Sequence, residues 1–175
     1  VITENDRYCV KIQTENLAVA RKYFTLLRKT FNIRAEVSVR KSREVRFYSV
    51  IVSKDPEARR LLGETCLLDE DGNISECMSP MHHRLLRQNC CRRAFIRGAF
   101  LSCGSISDPT KGYHLEFVCN NKTQAEQLQE IIGQFDIEAK IVCRKKYFVV
   151  YVKEGAGIVE LLNIMEAHVA LMNLE

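Results

Sequence analysis

The chain has 175 residues and 20.2 kDa, with 27% charged and 46% hydrophobic residues, a composition that excludes a disordered chain and fits one domain or two small repeats. Its 26 basic and 22 acidic residues leave a net charge of +4 and a pI near 8.6, short of the extreme of an obligate nucleic-acid binder. No apolar run approaches the roughly 20 residues of a membrane-spanning helix, and no basic-plus-apolar signal segment opens the chain, so a cytoplasmic protein is expected.

Alternating residues at 8–13 predict a strand. Leu17, Ala20, Phe24 and Leu27 then fall at helical spacing behind Asn16, a side chain suited to an N-cap. Residues 33–39 alternate again and 46–52 are β-branched and aromatic, so the two runs predict a hairpin with a basic tip. Asp55-Pro56 caps and starts a closing helix. From Lys54 to Glu76 there are three basic and seven acidic residues, and Asp71-Gly72 marks a turn inside that acidic connector. Ser79-Pro80 predicts a short helix through Arg87. A second helix runs from about Cys90 to Cys103, closed by Gly104. Five arginines (Arg84, Arg87, Arg92, Arg93, Arg97) and no acid lie between Cys77 and Ser107, so charge is segregated along the chain.

The same grammar then recurs. Residues 113–118 predict a strand. Ala125, Leu128, Ile131 and Ile132 predict a helix behind Asn121, and 137–143 with 146–152 predict a second basic hairpin. Ile158 to Leu174 predicts a closing helix with Leu161, Leu162, Met165 and Val169 as its apolar stripe. Phe31, Ile33, Ala35, Arg40 and Lys41 match Phe135, Ile137, Ala139, Arg144 and Lys145 at a constant offset of 104, and the first copy then carries four extra residues. This is a tandem duplication. The expected class is α+β, with strand–helix–hairpin–helix repeats and antiparallel sheets, at 1–78 and 79–175, leaving one sheet face per repeat uncovered.

The eight cysteines form no Cys-x-x-Cys pair and the four histidines no His-x3-His array, so no metal is expected. Cys9, Cys119 and Cys143 lie in strand-like runs and Cys91 and Cys103 in a helix-like one. They read as small buried residues of a reducing compartment. Asp69 to Gly72 lacks the ligand spacing of a calcium loop.

A glycine inside a helix costs roughly 1 kcal/mol against alanine, so Gly98 asks for a close helix crossing. Here Ile96-Arg-Gly98-Ala-Phe-Leu-Ser-Cys-Gly104 resembles the LAGLIDADG helix of the homing endonucleases. More closely, Arg87 to Phe100, Glu15 to Arg21, Tyr151-Val-Lys-Glu-Gly and Leu161-Leu-Asn-Ile-Met resemble the LAGLIDADG-like domain of the WhiA family of bacterial sporulation and cell-division regulators. The resemblance covers essentially the whole chain. It implies a repeat-interface helix with Gly98, Phe100, Cys103 and Gly104, and two saddle-shaped sheets that meet double-stranded DNA. It also implies a helix-turn-helix domain, which these 175 residues do not include. Val1-Ile2 falls opposite Ser105-Ile106, so the sequence holds no first motif helix and an apolar seam around Gly98 is expected to be exposed.

The resemblance puts the endonuclease's metal-binding acid at Cys103. Magnesium needs hard oxygen ligands, and a cysteine is a soft one, so no catalysis and no cofactor are expected. A helix C-terminus also disfavours a thiolate there. Each hairpin carries a net +3, from Arg34, Arg40, Lys41, Arg43 and Arg46 against two acids, and from Lys140, Arg144, Lys145 and Lys146 against one. The implied function is a non-catalytic part of a bacterial transcriptional regulator with weak, salt-sensitive DNA contacts, associated with the nucleoid. The alternative is a protein-interaction module meeting the transcription or division machinery through 64–76 or Arg84–Arg97. No membrane contact is expected.

Overall fold

A computed structural model of the chain describes residues 2–4, 7–69, 71–74, 84–107 and 114–172. It divides into two compact units, Val1–Ile74 and Ser75–Glu175. The boundary expected between 78 and 79, and the start of the helix expected at Ser79-Pro80, lie outside the described residues.

The first unit runs β1 (Ile2–Glu4), β2 (Arg7–Thr14), α1 (Leu17–Phe31), β3 (Glu36–Ser42), β4 (Val45–Val52) and α2 (Asp55–Glu64). The second opens with a 3-10 turn at Arg84–Leu86 and continues with α3 (Asn89–Cys103), β5 (Gly104–Ile106), β6 (Leu115–Cys119) and α4 (Lys122–Gly133). It ends with β7 (Lys140–Arg144), β8 (Tyr147–Val152), α5 (Gly155–Ile164) and α6 (His168–Met172). Each unit holds one four-stranded antiparallel sheet, and the two strand orders correspond, β1-β2-β4-β3 and β5-β6-β8-β7. The protein is α+β with a duplicated grammar.

Local chemistry repeats with it. The Asn16 side chain accepts from the N–H groups of Ala18 and Val19 at 2.9 and 3.3 Å, and that of Asn121 from Gln124 at 2.8 Å, so both expected N-caps form. Among the described residues, the non-glycine residues with left-handed backbone fall into three pairs, Asn32 with Asp136, Arg43 with Lys145 and Cys66 with Glu166, all with φ between 52° and 60°. Helices α2 and α5 end alike. Leu67 N–H bonds Leu62 O and Cys66 N–H bonds Gly63 O, as Ala167 N–H bonds Leu162 O and Glu166 N–H bonds Asn163 O.

Four expectations need correction. The last helix does not run unbroken from Ile158, because this left-handed stop at Glu166 separates α5 from α6, and Val169 is 77% exposed rather than in the stripe with buried Leu161, Leu162 and Met165. Asp55 does not cap α2. Lys54 holds that position, and the Asp55 carboxylate reaches across to accept the Tyr8 N–H at 2.7 Å. Strand β7 begins at Lys140, after the turn that Asp136 imposes. Among the expected buried thiols only Cys119 is buried, while Cys9, Cys91 and Cys103 are half-buried and Cys143 is exposed.

The four extra residues of the first copy lengthen its hairpin. Ser42 pairs with Val45 beyond the Arg40–Phe47 pair, whereas Arg144–Tyr147 already ends the second hairpin. Ala20, Leu27, Ile33, Val50, Val52, Ala58 and Leu61 form the core of the first unit, between α1, α2 and one sheet face. The core of the second unit is larger because α3 adds Ile96, with Phe95, Ala99, Phe100 and Cys103 packed against it. The Phe100 ring meets Phe117 edge-on at 5.9 Å. From α3, Arg93 donates to Ile164 O and Asn163 O at 3.2 and 3.1 Å, satisfying carbonyls at the end of α5.

Candidate nucleic-acid interface

Strand alternation sorts each sheet into two faces. In the second unit Leu115, Phe117, Cys119, Val150 and Val152 are buried toward the helices. Glu116, Val118, Val149, Tyr151, Lys140, Val142 and Arg144 occupy the other face by register. In the first unit Val50 and Val52 face the helices, and Lys11, Gln13, Phe47, Ser49, Ile51, Glu36, Ser38 and Arg40 take the other side.

The longer first hairpin concentrates positive charge at its end. Arg40 lies on the uncovered face, opposite Phe47. Lys41 and Arg46 are direct cross-strand partners on the reverse face, an arrangement of like charges that costs stability. Arg43 occupies the turn with φ 54°, where a residue with a Cβ pays roughly 1–2 kcal/mol that glycine would not. All four are exposed, and none has an ion pair with a described residue.

The second hairpin is arranged differently. Lys145 holds the same left-handed tip position at φ 56°, and the Lys146 ammonium sits 5.3 Å from the Tyr147 ring. Lys140 pairs with Glu138 at 3.4 Å. Arg144 reaches Glu116 at 2.9 Å, and His114 Nε2 lies 2.9 Å from the same carboxylate oxygen. The His114 ring stacks on Tyr151 at 5.7 Å, and Lys153 lies 5.2 Å from that ring on its own account. Burial by itself would raise the Glu116 carboxyl, but the His114 hydrogen bond and the Arg144 guanidinium outweigh it, and the carboxyl ends below its ordinary value. The sequence-expected charges of Lys140 and Arg144 are therefore partly neutralised. His114 and Glu116 were missed by sequence reasoning, although their spacing of two puts them on one strand face.

Residues of the expected interface helix divide by environment. A Cβ at Gly98 would meet nothing within 4 Å, so no crossing helix occupies that face among the described residues. Leu101, 55% exposed, extends the open seam. Gly104 is not a left-handed cap, having φ −88° and ψ 151°. It is glycine because a Cβ there would come 2.7 Å from the Phe100 Cα and closer still to its ring. Alongside Gly98 lies a groove of about 570 Å³ lined by Phe95, Ser102, Cys103, Cys119, Gln124 and Gln127, among others. The Cys103 thiol donates to Ala99 O at 3.3 Å, and the neighbouring Cys119 thiol first, then Ser102 and the Val118 N–H, lower it to about 6 against the opposing effect of burial. Cys119 is pushed up by the same pairing.

The arginine-rich segment is largely engaged inside its unit. Arg92 donates to Leu86 O at 2.9 Å, Arg93 caps α5, and Arg97 pairs with Glu166 at 3.1 Å. Among the described residues, no group of three or more His, Cys, Asp or Glu is arranged for a metal, and no helix is long and apolar enough to cross a membrane.

Comparison with known proteins gives a consistent picture. The WhiA N-terminal LAGLIDADG-like domain matches residues 1–68, and the WhiA LAGLIDADG-like domain matches residues 92–175. A probable cell division protein WhiA from Lachnoclostridium phytofermentans is 49% identical over 168 residues, 95% of this chain and 54% of that protein. Its counterpart from Alkaliphilus oremlandii is 43% identical over 169 residues, covering 95% and 53%. The chain thus spans about half the length of the relatives it matches. Among solved structures, full-length DUF199/WhiA from Thermatoga maritima superposes with a TM-score of 0.68 at 19% identity, over 99% of this chain and 53% of that one. The homing endonuclease I-DmoI, in complex with DNA and Mn, superposes with a TM-score of 0.59 at 15% identity, over 94% and 86%. At such identities the structural likeness speaks for the fold alone.

Proposed function

The chain belongs to the WhiA family, and from that premise we propose that it is a non-catalytic, degenerate homing-endonuclease-like portion of a bacterial transcriptional regulator of sporulation or cell division, contributing weak contacts to double-stranded DNA. The observation that carries this reading is the paired hairpin tips. In both copies a basic residue, Arg43 or Lys145, holds a left-handed turn that glycine would hold at lower cost. Backbone strain kept at equivalent positions of two diverged copies points to use of those side chains. The Lys41–Arg46 like-charge pair adds to it, since an anion between the two relieves their repulsion. A phosphate backbone is such an anion.

Cleavage is not part of the proposal. The resemblance puts the metal-binding acid at Cys103, whose sulfur lies 3.3 Å from Ala99 O in a partly apolar groove. A soft thiol is a poor magnesium ligand. Sequence readout and the cell-division role are those of the full-length relatives, of whose length this chain spans about half. The protein-interaction alternative is weakened by the engagement of Arg92 and Arg93 with backbone carbonyls of their own unit.

The test is binding of the chain to a random labelled duplex across a salt series, with magnesium and with EDTA. The expected result is weak affinity whose logarithm falls linearly with log salt and ignores magnesium. No binding at low salt sinks the DNA reading, and plasmid nicking that tracks the protein through purification sinks the non-catalytic one.

A further inference from the structure

Equivalent positions of the two uncovered sheet faces carry opposite charges. Lys11 lies opposite Ile51 in the first sheet, and Glu116 takes the same place opposite Tyr151 in the second. Arg40 and Arg144 also correspond, opposite Phe47 and Tyr147. In the first unit Lys11 and Arg40 are exposed, and neither has an ion pair with a described residue. In the second, one Glu116 oxygen receives both the Arg144 guanidinium and His114 Nε2, each at 2.9 Å. Arg144 and Glu116 are not strand neighbours. Their partners on β8, Tyr147 and Tyr151, are four residues apart, so the two backbones stand ~13 Å apart along the strands and ~10 Å across two of them. The Arg144 side chain therefore lies diagonally over the face instead of projecting from it. His114 stacks on Tyr151 at 5.7 Å, which holds the second partner of the carboxylate in place. The Glu116 side chain is 19% exposed and that of Arg144 54%, so an incoming group meets the guanidinium before the carboxylate.

We propose that Glu116 is a built-in surrogate for phosphate, holding Arg144 against the second sheet face until the backbone of a DNA duplex displaces it. This rests on the DNA reading above and adds a difference between the two faces, the first open and the second latched. A phosphate competes well for the guanidinium, because two of its oxygens match the fork of the arginine. Glu116 offers a single oxygen, shared with His114, and an ion pair as exposed as this one is weakly held. Displacement still has a cost, since the carboxylate stays on the face and repels the phosphates that replace it. The latch thus lowers the nonspecific affinity of this unit without removing its basic residues. At the equivalent place in the first unit, Lys11 attracts the same phosphates and leaves Arg40 free to meet them.

The 175-residue chain and its Glu116→Gln variant are titrated with a random labelled duplex across a salt series, the amide keeping the shape of the carboxylate without its charge. The variant is expected to bind about three- to tenfold tighter at low salt, the worth of one hydrogen bond, with a salt slope steeper by about one. The double variant Glu116→Gln/Arg144→Ala is expected to lose that gain. Glu160→Gln on α5, an equal change of net charge, is expected to gain distinctly less. Unchanged affinity in Glu116→Gln beside a wild type that binds overturns the latch and leaves the DNA reading standing. A gain that survives in the double variant, or that Glu160→Gln matches, also overturns it, because net charge alone then accounts for the effect. Absence of binding by both the wild type and Glu116→Gln at low salt sinks the two readings together. Circular dichroism checks that each variant is folded. Should Glu116→Gln fail to fold, the wild type decides by NMR. The Arg144 side-chain N–H resonance is expected to shift as duplex is added and to return as salt removes it, and an unmoved resonance in DNA-bound protein overturns the proposal.

Discussion

Strands β2 and β6 descend from one sequence and meet different surroundings. Leu115 and Phe117 are fully buried, while their counterparts Val10 and Ile12 are only half-buried. The difference is α3, whose Phe100 and Ile96 pack onto the second sheet, and for which the 175 residues hold no counterpart ahead of β1. The first unit instead ties β2 down with polar contacts. Asp55 accepts the Tyr8 N–H, Arg59 lies over the Tyr8 ring at 4.4 Å, and the Tyr8 hydroxyl donates to Gly72 O at 2.6 Å. The lesson is that one pattern of alternation specifies a strand and its inward face, but the depth of burial is set by whatever helix arrives on it.

The largest test of that contrast is truncation at the equivalent inward positions. Phe117→Ala is expected to cost about 3–5 kcal/mol, and Ile12→Ala distinctly less, read by denaturant unfolding with hydrogen exchange assigning the loss to its unit. Equal costs would break the comparison. The two glycines of α3 come next. Gly104→Ala is expected to cost about 1–3 kcal/mol, because its Cβ meets Phe100 backbone. Gly98→Ala is expected to add up to about 1 kcal/mol through helix propensity, since its Cβ enters open space. Destabilisation by Gly98→Ala would mean that something packs against that face in solution.

Charge separates the units in a second way. Removing Arg40 and Arg43, neither ion-paired with a described residue, is expected to lower the salt slope of DNA binding by about one per lost phosphate contact. Arg144→Ala is expected to change it less, because Glu116 already holds that guanidinium. A larger effect from Arg144 would reverse the assignment. The smallest effect is in pH. The folded-state pKa of Glu116 lies below its unfolded value, so its stabilisation is fully present above the ordinary carboxylate range and is lost as pH falls through the depressed value. Melting curves of Glu116→Gln and the unaltered chain should differ at neutral pH and converge in acid.

Much of the fold was legible because the signals are local. Asn16 and Asn121 read as caps and are caps, and the four-residue excess read from the repeat appears as two residues on each hairpin strand. The candidate site was legible as composition only. Arg40, Lys41, Arg43 and Arg46 stand exposed as expected, whereas Lys140 and Arg144 are held by Glu138 and Glu116. The first of these pairs is two residues apart, but the second spans 28 positions, beyond any local pattern.

By itself, then, the order of residues determined the duplication, the element order, the caps and the basic hairpin ends, because alternation, helical spacing and capping act within a few residues. Only the tertiary structure decided that Gly98 faces open space, that Gly104 is required by the Phe100 ring, that Arg93 closes α5 and that Cys103 and Cys119 line one groove. Each of these depends on how a helix settles on a sheet. Packing between elements brings together groups that the chain keeps far apart, and their desolvation and hydrogen bonds exist only after that contact is made.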